Sequence, residues 1–160
     1  MHRAITIADV YPLICEKLEA GGRAILPASG QSMWPLLRHN RDSVVIVSAA
    51  SKSPQKNDLA LYICISGQFK LHRIVGFDKN GDLVFCGENQ FIREHHVNPQ
   101  QIVGYVEGFT RNCRAYHCSS KIYLIYCLAL PVLRILWFVS FRCFNSKYAR
   151  KLIFFLKGDI

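Results

Sequence analysis

The first 22 residues carry apolar side chains at the spacing of a helix. Four of them recur at intervals of three and four positions: Val10, Leu13, Ile14 and Leu18. Residues with this spacing share one face of an α-helix, and the pair Gly21-Gly22 is a typical helix end. The pattern therefore predicts a short amphipathic helix within residues 1–22.

Between residues 23 and 110 the pattern changes to short β-rich stretches that are separated by turn residues. The stretches are Ala24–Leu26, Ser43–Val47, Leu59–Ile65, Gln68–Val75, Leu83–Cys86 and Gln101–Phe109. The sequence Lys79-Asn80-Gly81-Asp82 is a strong hairpin turn. Closely spaced strands without helix-length segments between them predict a compact, mostly antiparallel β domain over residues 23–110.

Residues 111–160 form a third region, which is apolar and basic. Ile122–Phe141 contains one charge, Arg134, and one proline, and its length matches the ~20 residues that span a bilayer. A second apolar stretch, Leu152–Leu156, is too short to span. The pattern predicts a helical, membrane-associating tail. The alternative interpretation is a buried helical hairpin that covers the β domain.

The distribution of charge supports the membrane interpretation. The net charge is +9, and residues 111–160 hold 9 of the 20 Lys and Arg residues but only one acid, Asp159. These cations alternate with aromatic and aliphatic side chains, as in a helix that lies among lipid headgroups. Long apolar runs between the cations argue against nucleic-acid binding, so we expect membrane lipids and no nucleic acid as partners.

The seven cysteines show no disulfide framework. Their odd number and scattered positions predict reduced thiols. Cys113, His117 and Cys118 resemble half a zinc site, but no second pair of ligands stands at a matching distance along the chain. We therefore expect no metal and no cofactor.

The segment Ser29-Gly30-Gln31-Ser32-Met33-Trp34-Pro35 is the most distinctive part of the β domain. A serine hydroxyl is a weak nucleophile and needs a neighbouring base. His72 is the candidate base, because an imidazole with an ordinary pKa near 6.5 exchanges protons near neutral pH. Spacing alone leaves a second interpretation open, in which Ser32 is a turn residue and His72 is structural.

Four blocks in this order resemble the signal peptidase and SOS-repressor superfamily of serine peptidases. The blocks are Ser29–Leu37, His72–Val75, Gly87–Asn89 and Ile102–Gly104, and the region of the resemblance, roughly residues 29–110, is about half of the chain. The resemblance implies a signal-peptidase-like antiparallel β domain and a serine nucleophile at Ser32. His72 precedes Arg73, as in the histidine-base branch that contains the endoplasmic-reticulum type of signal peptidase. Lys70 remains the alternative base.

The resemblance also implies the other members of the site. The acid that orients His72 is expected at Glu94 or, second, at Glu88, with Asp82 a distant third. His95 and His96 are expected to be exposed loop residues. The backbone N–H of Ser32 is the expected oxyanion donor, with Ser29 and Gly30 beside it. Met33 either contacts substrate or membrane, or packs in the core.

These expectations describe a membrane-associated serine endopeptidase that cleaves a leader or precursor peptide, with small residues beside the cleaved bond, through an acyl-enzyme. Free thiols, cationic flanks and the absence of an amino-terminal signal pattern predict a catalytic domain on the cytoplasmic face of the membrane. Two alternatives stay open. One is a non-catalytic membrane adaptor that retains the fold, and the other is a self-cleaving, repressor-like regulator.

Overall fold

The computed structural model describes residues 7–136, which form two helices and an eight-stranded sheet. Helix α1 spans Ile7–Glu19. The strands are β1 Ala24–Pro27, β2 Ser43–Ser48, β3 Leu59–Ile63, β4 Phe69–Phe77, β5 Leu83–Cys86, β6 Glu94–Val97, β7 Ile102–Arg111 and β8 Arg114–His117. Helix α2 begins at residue 121 and continues through residue 136. The prediction of a mostly antiparallel β fold with one helix before it and one after it is confirmed.

Every strand pairing in the sheet is antiparallel, and the sheet is not closed. The strand order is β1-β2-β7-β3-β4-β5-β6, and β8 pairs with β7. The last long strand, β7, therefore lies between the hairpin β1–β2 and the strands β3 to β6. This order places the loop that follows β1 and the strand β4 in different halves of one sheet.

Aromatic and aliphatic side chains from β3, β4, β5, β6 and β7 form a core cluster on the sheet. Its members are Ala60, Tyr62, Ile74, Leu83, Phe85, Val97, Ile102 and Tyr105. Burial of these apolar side chains is the main stabilising contribution of this half of the molecule. Tyr62 is fully buried and stacks on Phe85, with ring centroids 4.1 Å apart.

The buried face of α1 differs slightly from the predicted one. Ile14 and Leu18 are buried, but Leu13 is 66 % exposed. The packed stripe runs instead through Tyr11, whose ring lies 4.9 Å from that of Phe69. Positions 11, 14 and 18 follow the three-then-four spacing of one helix face, and this spacing leaves Leu13 at its flank.

Two strands were absent from the predicted set, β6 and β8. The first contains His95 and His96, whose side chains are exposed as expected although they belong to a strand. The second, β8, lies in the stretch 111–120 that the sequence assigned to the tail. The chain divides into two compact units after Ser120, so these ten residues belong with the sheet.

Helix α2 carries many exposed apolar side chains in its described part. They are Ile122, Leu124, Ile125, Leu128, Val132, Leu133, Ile135 and Leu136. Within residues 7–136, no helix is both long enough and apolar enough to cross a bilayer. The end of the predicted span Ile122–Phe141 and the stretch Leu152–Leu156 lie outside the described residues.

Candidate active site

Ser32 and His72 line the same cavity, which has a volume of about 230 Å³. Ser32 lies in the loop between β1 and β2, and His72 lies on β4. The wall of the cavity also includes Ala28, Ser29, Gly30, Met33, Leu37, Phe69, Lys70, Leu71 and Gln90. The sheet therefore brings together the serine, the candidate base and three further candidate site residues, Ser29, Gly30 and Met33.

The loop around Ser32 is shaped by a glycine and anchored by buried apolar side chains. Gly30 has a φ of +78°, a conformation that favours glycine, and its N–H donates to His39 Nδ1 at 3.0 Å. The N–H of Leu37 donates to the Met33 carbonyl at 2.8 Å. The Met33 side chain is buried and also lines the cavity, so it packs in the core next to the space where a substrate would lie.

The segment Gly87–Asn89 holds the nucleophile loop from the other side. The backbone N–H of Asn89 donates to the Ser32 carbonyl at 2.8 Å, and the Asn89 side chain donates to the Gln31 carbonyl at 3.4 Å. A Cβ atom on Gly87 would stand 2.7 Å from the Ser32 carbonyl oxygen. Glycine at this position therefore permits the close approach of the two segments.

His72 belongs to a buried network of polar groups. Its Nδ1 lies 3.1 Å from the Tyr62 hydroxyl and 3.6 Å from Glu94 Oε1. The Tyr62 hydroxyl donates to Glu94 Oε2 at 3.0 Å. Lys70 Nζ donates to Glu94 Oε1 at 2.8 Å. Glu94, the first-choice acid, is thus placed beside the candidate base.

Glu88 and Asp82 are placed elsewhere. Glu88 accepts hydrogen bonds from the Nε and Nη2 groups of Arg73, and both side chains are buried. Asp82 lies in the hairpin turn between β4 and β5, beside Asp78 and His96. Both alternatives to Glu94 therefore have other partners in the structure.

The protonation of the two candidate bases differs. Burial lowers the pKa of His72, and the charge of Lys70 lowers it further, while Glu94 acts in the opposite direction. The hydrogen bond to Glu94 raises the pKa of Lys70. At neutral pH His72 is therefore neutral and able to accept a proton, whereas Lys70 is protonated and unable to accept one.

The His72 ring is buried and borders the cavity, and the backbone N–H of Ser32 is available to a substrate among the described residues. Within residues 7–136, no hydrogen bond joins the Ser32 hydroxyl to the His72 ring, and the backbone N–H of Ser32 donates to no group. Hydrogen bonds between nucleophile and base are often loose before substrate binds. An N–H without an internal partner is suited to donate to an oxyanion.

Two contributors to the site were missed by the sequence reasoning. Tyr62 stands directly opposite Lys70 in the pairing of β3 with β4. A prediction of that register would have placed Tyr62 opposite Lys70 and diagonally across from His72. Asn89 belongs to one of the four blocks, but no sequence pattern indicates that its amide groups donate to the carbonyls of Gln31 and Ser32.

Comparison with known proteins adds no relative. No protein-family model matches the chain, and no curated protein matches its sequence.

Proposed function

We propose that the protein is a membrane-associated serine endopeptidase. The observation that carries this proposal is the shared cavity of Ser32 and His72, next to a network that contains an acid, with an imidazole whose pKa is lowered by burial. Serine, a neutral imidazole and an acid behind it form the set of groups that acyl transfer requires.

The chemistry follows from these positions. The Ser32 hydroxyl attacks the scissile carbonyl while His72 accepts its proton, and the backbone N–H of Ser32 stabilises the oxyanion. The bond to the leaving amine then breaks, and His72 returns the proton to that amine. Water then attacks the Ser32 ester while His72 accepts its proton, and His72 gives this proton to the leaving Ser32 oxygen as the acid product is released.

The shape of the cavity supports a peptide substrate with a small side chain beside the cleaved bond. Its volume of about 230 Å³ is modest, and its apolar wall includes Ala28, Met33 and Leu37. A leader or precursor peptide of this kind is the proposed substrate.

The exposed apolar side chains of α2 support the membrane part of the proposal. Leu128 is 78 % exposed and Ile122 is 71 % exposed, and such side chains gain free energy on transfer to a lipid interface. We place the catalytic domain on the cytoplasmic face. Protease treatment of sealed vesicles tests this orientation, and digestion of the β domain only from the opposite face would contradict it.

Covalent labelling of Ser32 tests the enzymatic part. The full chain in detergent is treated with a fluorophosphonate across a range of pH and followed by intact mass. We expect labelling to rise with pH with a midpoint below 6.5, because the pKa of His72 is lowered. Ser32→Ala and His72→Ala should not label, whereas the exposed controls Ser53→Ala and His95→Ala should label normally.

The other outcomes identify the alternatives. A folded wild-type protein that never labels would favour the non-catalytic adaptor. Labelling that survives in His72→Ala but is lost in Lys70→Ala would make Lys70 the base. Mass loss from the untreated chain, absent in Ser32→Ala, would indicate a self-cleaving regulator.

A further inference from the structure

We propose that Tyr62 is the residue that positions the catalytic imidazole, because its phenol hydroxyl links His72 Nδ1 to the Glu94 carboxylate. The role as a positioning residue rests on the proposed function, in which His72 is the base. The resemblance predicts that an acid contacts and orients His72 directly, whereas in the structure the Tyr62 hydroxyl lies between His72 and the acid.

The distances favour the linked arrangement over direct contact. The Tyr62 oxygen lies 3.1 Å from His72 Nδ1 and 3.0 Å from Glu94 Oε2. The direct separation of Nδ1 from Glu94 Oε1 is 3.6 Å, which is too long for a hydrogen bond. The phenol is therefore the group that contacts the imidazole.

The protons of the network fix the tautomer of His72. Glu94 accepts a hydrogen bond from the Lys70 ammonium at Oε1, and at Oε2 it accepts the single proton of the Tyr62 hydroxyl. The phenol oxygen can then only accept from His72. Nδ1 must carry the N–H, and Nε2 of the neutral imidazole keeps the lone pair that a general base needs.

The position of Tyr62 in the sheet makes this link rigid. The side chain is fully buried in the core cluster, stacks on Phe85, and is held opposite Lys70 by the pairing of β3 with β4. Burial raises the pKa of Tyr62, and the Glu94 charge raises it further, so the phenol keeps its proton. The ring thus acts as a fixed donor and acceptor.

The titratable groups that face His72 come from three strands. Lys70 lies on its own strand β4, Tyr62 on β3, and Glu94 on β6. When Nε2 gains a proton, the Nδ1–H group donates more strongly to the phenol oxygen, and the carboxylate behind the phenol stabilises the cation. Tyr62 therefore links the imidazolium to the stabilising Glu94 carboxylate while its own hydroxyl keeps its proton.

Imidazole ¹⁵N spectra of the full chain in detergent test the proposal without using enzymatic activity. Spectra are recorded at pH 8, where the imidazole is neutral, and His72 is assigned by the signal that disappears in His72→Gln. We expect the Nδ1–H tautomer in the wild type and a shift toward Nε2–H in Tyr62→Phe. Tyr105→Phe, which removes another buried hydroxyl of the same cluster, should leave the tautomer unchanged.

The wild-type spectrum alone tests the proposal, even if the Tyr62→Phe variant fails to fold. An Nε2–H tautomer in the wild type overturns the proposal, and so does a Tyr62→Phe spectrum that matches the wild type. Neither result bears on whether Ser32 is a nucleophile.

Labelling of Ser32 supplies the second measurement. Tyr62→Phe should label about 10- to 100-fold more slowly than wild type, the effect of one hydrogen bond to a charged group. The midpoint of its pH profile should move to lower pH, because the imidazolium loses its link to the carboxylate. If Tyr62→Phe labels as fast as wild type and keeps the wild-type tautomer, the positioning role of Tyr62 is wrong and the proposed peptidase activity still stands. If the tautomer shifts in Tyr62→Phe but the wild-type protein never labels, Tyr62 orients His72 and the proposed peptidase activity is wrong.

Discussion

His72 and Arg73 are neighbours in the sequence but serve opposite faces of β4. Successive side chains of a strand point to opposite faces. His72 faces Tyr62 and Glu94, whereas Arg73 donates to Glu88 and, at 2.7 Å, to the Asn57 carbonyl. The separation of the two glutamates, with Glu94 beside His72 and Glu88 paired with Arg73, follows from this alternation.

Substitution of each glutamate should separate these roles. Glu88→Gln removes the carboxylate partner of the buried Arg73 guanidinium, so we expect it to lower the free energy of unfolding by about 3–5 kcal/mol. Glu94→Gln should cost far less stability, because Glu94 is partly exposed, but it should slow labelling of Ser32. Urea unfolding and labelling rates measure the two effects. Equal losses of stability in the two variants would contradict the assignment.

Asp42 contributes a pH-dependent part of the stability near the nucleophile loop. Its buried carboxylate pairs with Arg41 and accepts the N–H groups of Arg38 and Asn112, and these contacts lower its pKa to about 2 from 3.8. The unfolded chain therefore takes up a proton at a higher pH than the folded chain does. Stability from this group is complete above pH 4 to 5 and is lost as the pH falls toward 2.

Asp42→Asn should remove that acid sensitivity. We expect the wild type to lose about 2 kcal/mol through this group between pH 5 and pH 2, and the variant to lose correspondingly less. Urea unfolding at several pH values measures the difference. Parallel curves for the two proteins would mean that Asp42 is not the responsible group.

The choice between the two glutamates marks the limit of prediction at the residue scale. The resemblance to the peptidase superfamily ranks Glu94 above Glu88, and Glu94 is the one that lies beside His72. The sequence could not show that Tyr62 lies between His72 and Glu94, because that contact depends on the pairing register of β3 with β4. Local pattern predicts elements, but a contact between distant residues requires the relative register of two strands.

At the scale of elements, the loop between β5 and β6 supports the loop that carries Ser32. The two loops approach so closely at Gly87 that a methyl group there would collide with the Ser32 carbonyl oxygen as well as with the Gln90 side chain. The Asn89 N–H also donates to the Ser32 carbonyl. We therefore expect a small displacement of one loop to move Ser32 as well.

Gly87→Ala should reduce labelling of Ser32 more than it reduces stability. A displacement of about 1 Å in a catalytic group can cost about 100-fold in rate. Gly76→Ala is the matched control, because a Cβ atom at Gly76 meets nothing within 4 Å. Normal labelling of a folded Gly87→Ala protein would contradict the supporting role of this loop.

The elements that the sequence missed are the ones without apolar alternation. The strand β6 is Glu-His-His-Val, and β8 is Arg-Ala-Tyr-His. Both owe their extended structure to pairing with β5 and β7, respectively, rather than to their own composition. Tertiary pairing overrides local propensity in short strands of this kind.

At the scale of the whole molecule, the apolar side chains of α2 predict binding to lipid. The double variant Ile125→Glu/Leu128→Glu should reduce flotation of the full chain with anionic vesicles by at least about tenfold, because two exposed apolar side chains become charged. Ile25→Glu, at an exposed position of β1, is the control and should float normally. Equal flotation of all three proteins would show that these helix residues do not contact lipid.

The place of β7 between β2 and β3 also sets an order of events during synthesis. Ser32 follows the first strand and His72 lies on the fourth, but the two parts of the sheet join only through residues 102–111. Contacts of such long sequence separation form late in folding. A ribosome-bound chain that has released residues 1–100 therefore holds Ser32 and His72 without the strand that joins their two parts of the sheet, and we expect Ser32 to react with a label only after the seventh strand has emerged.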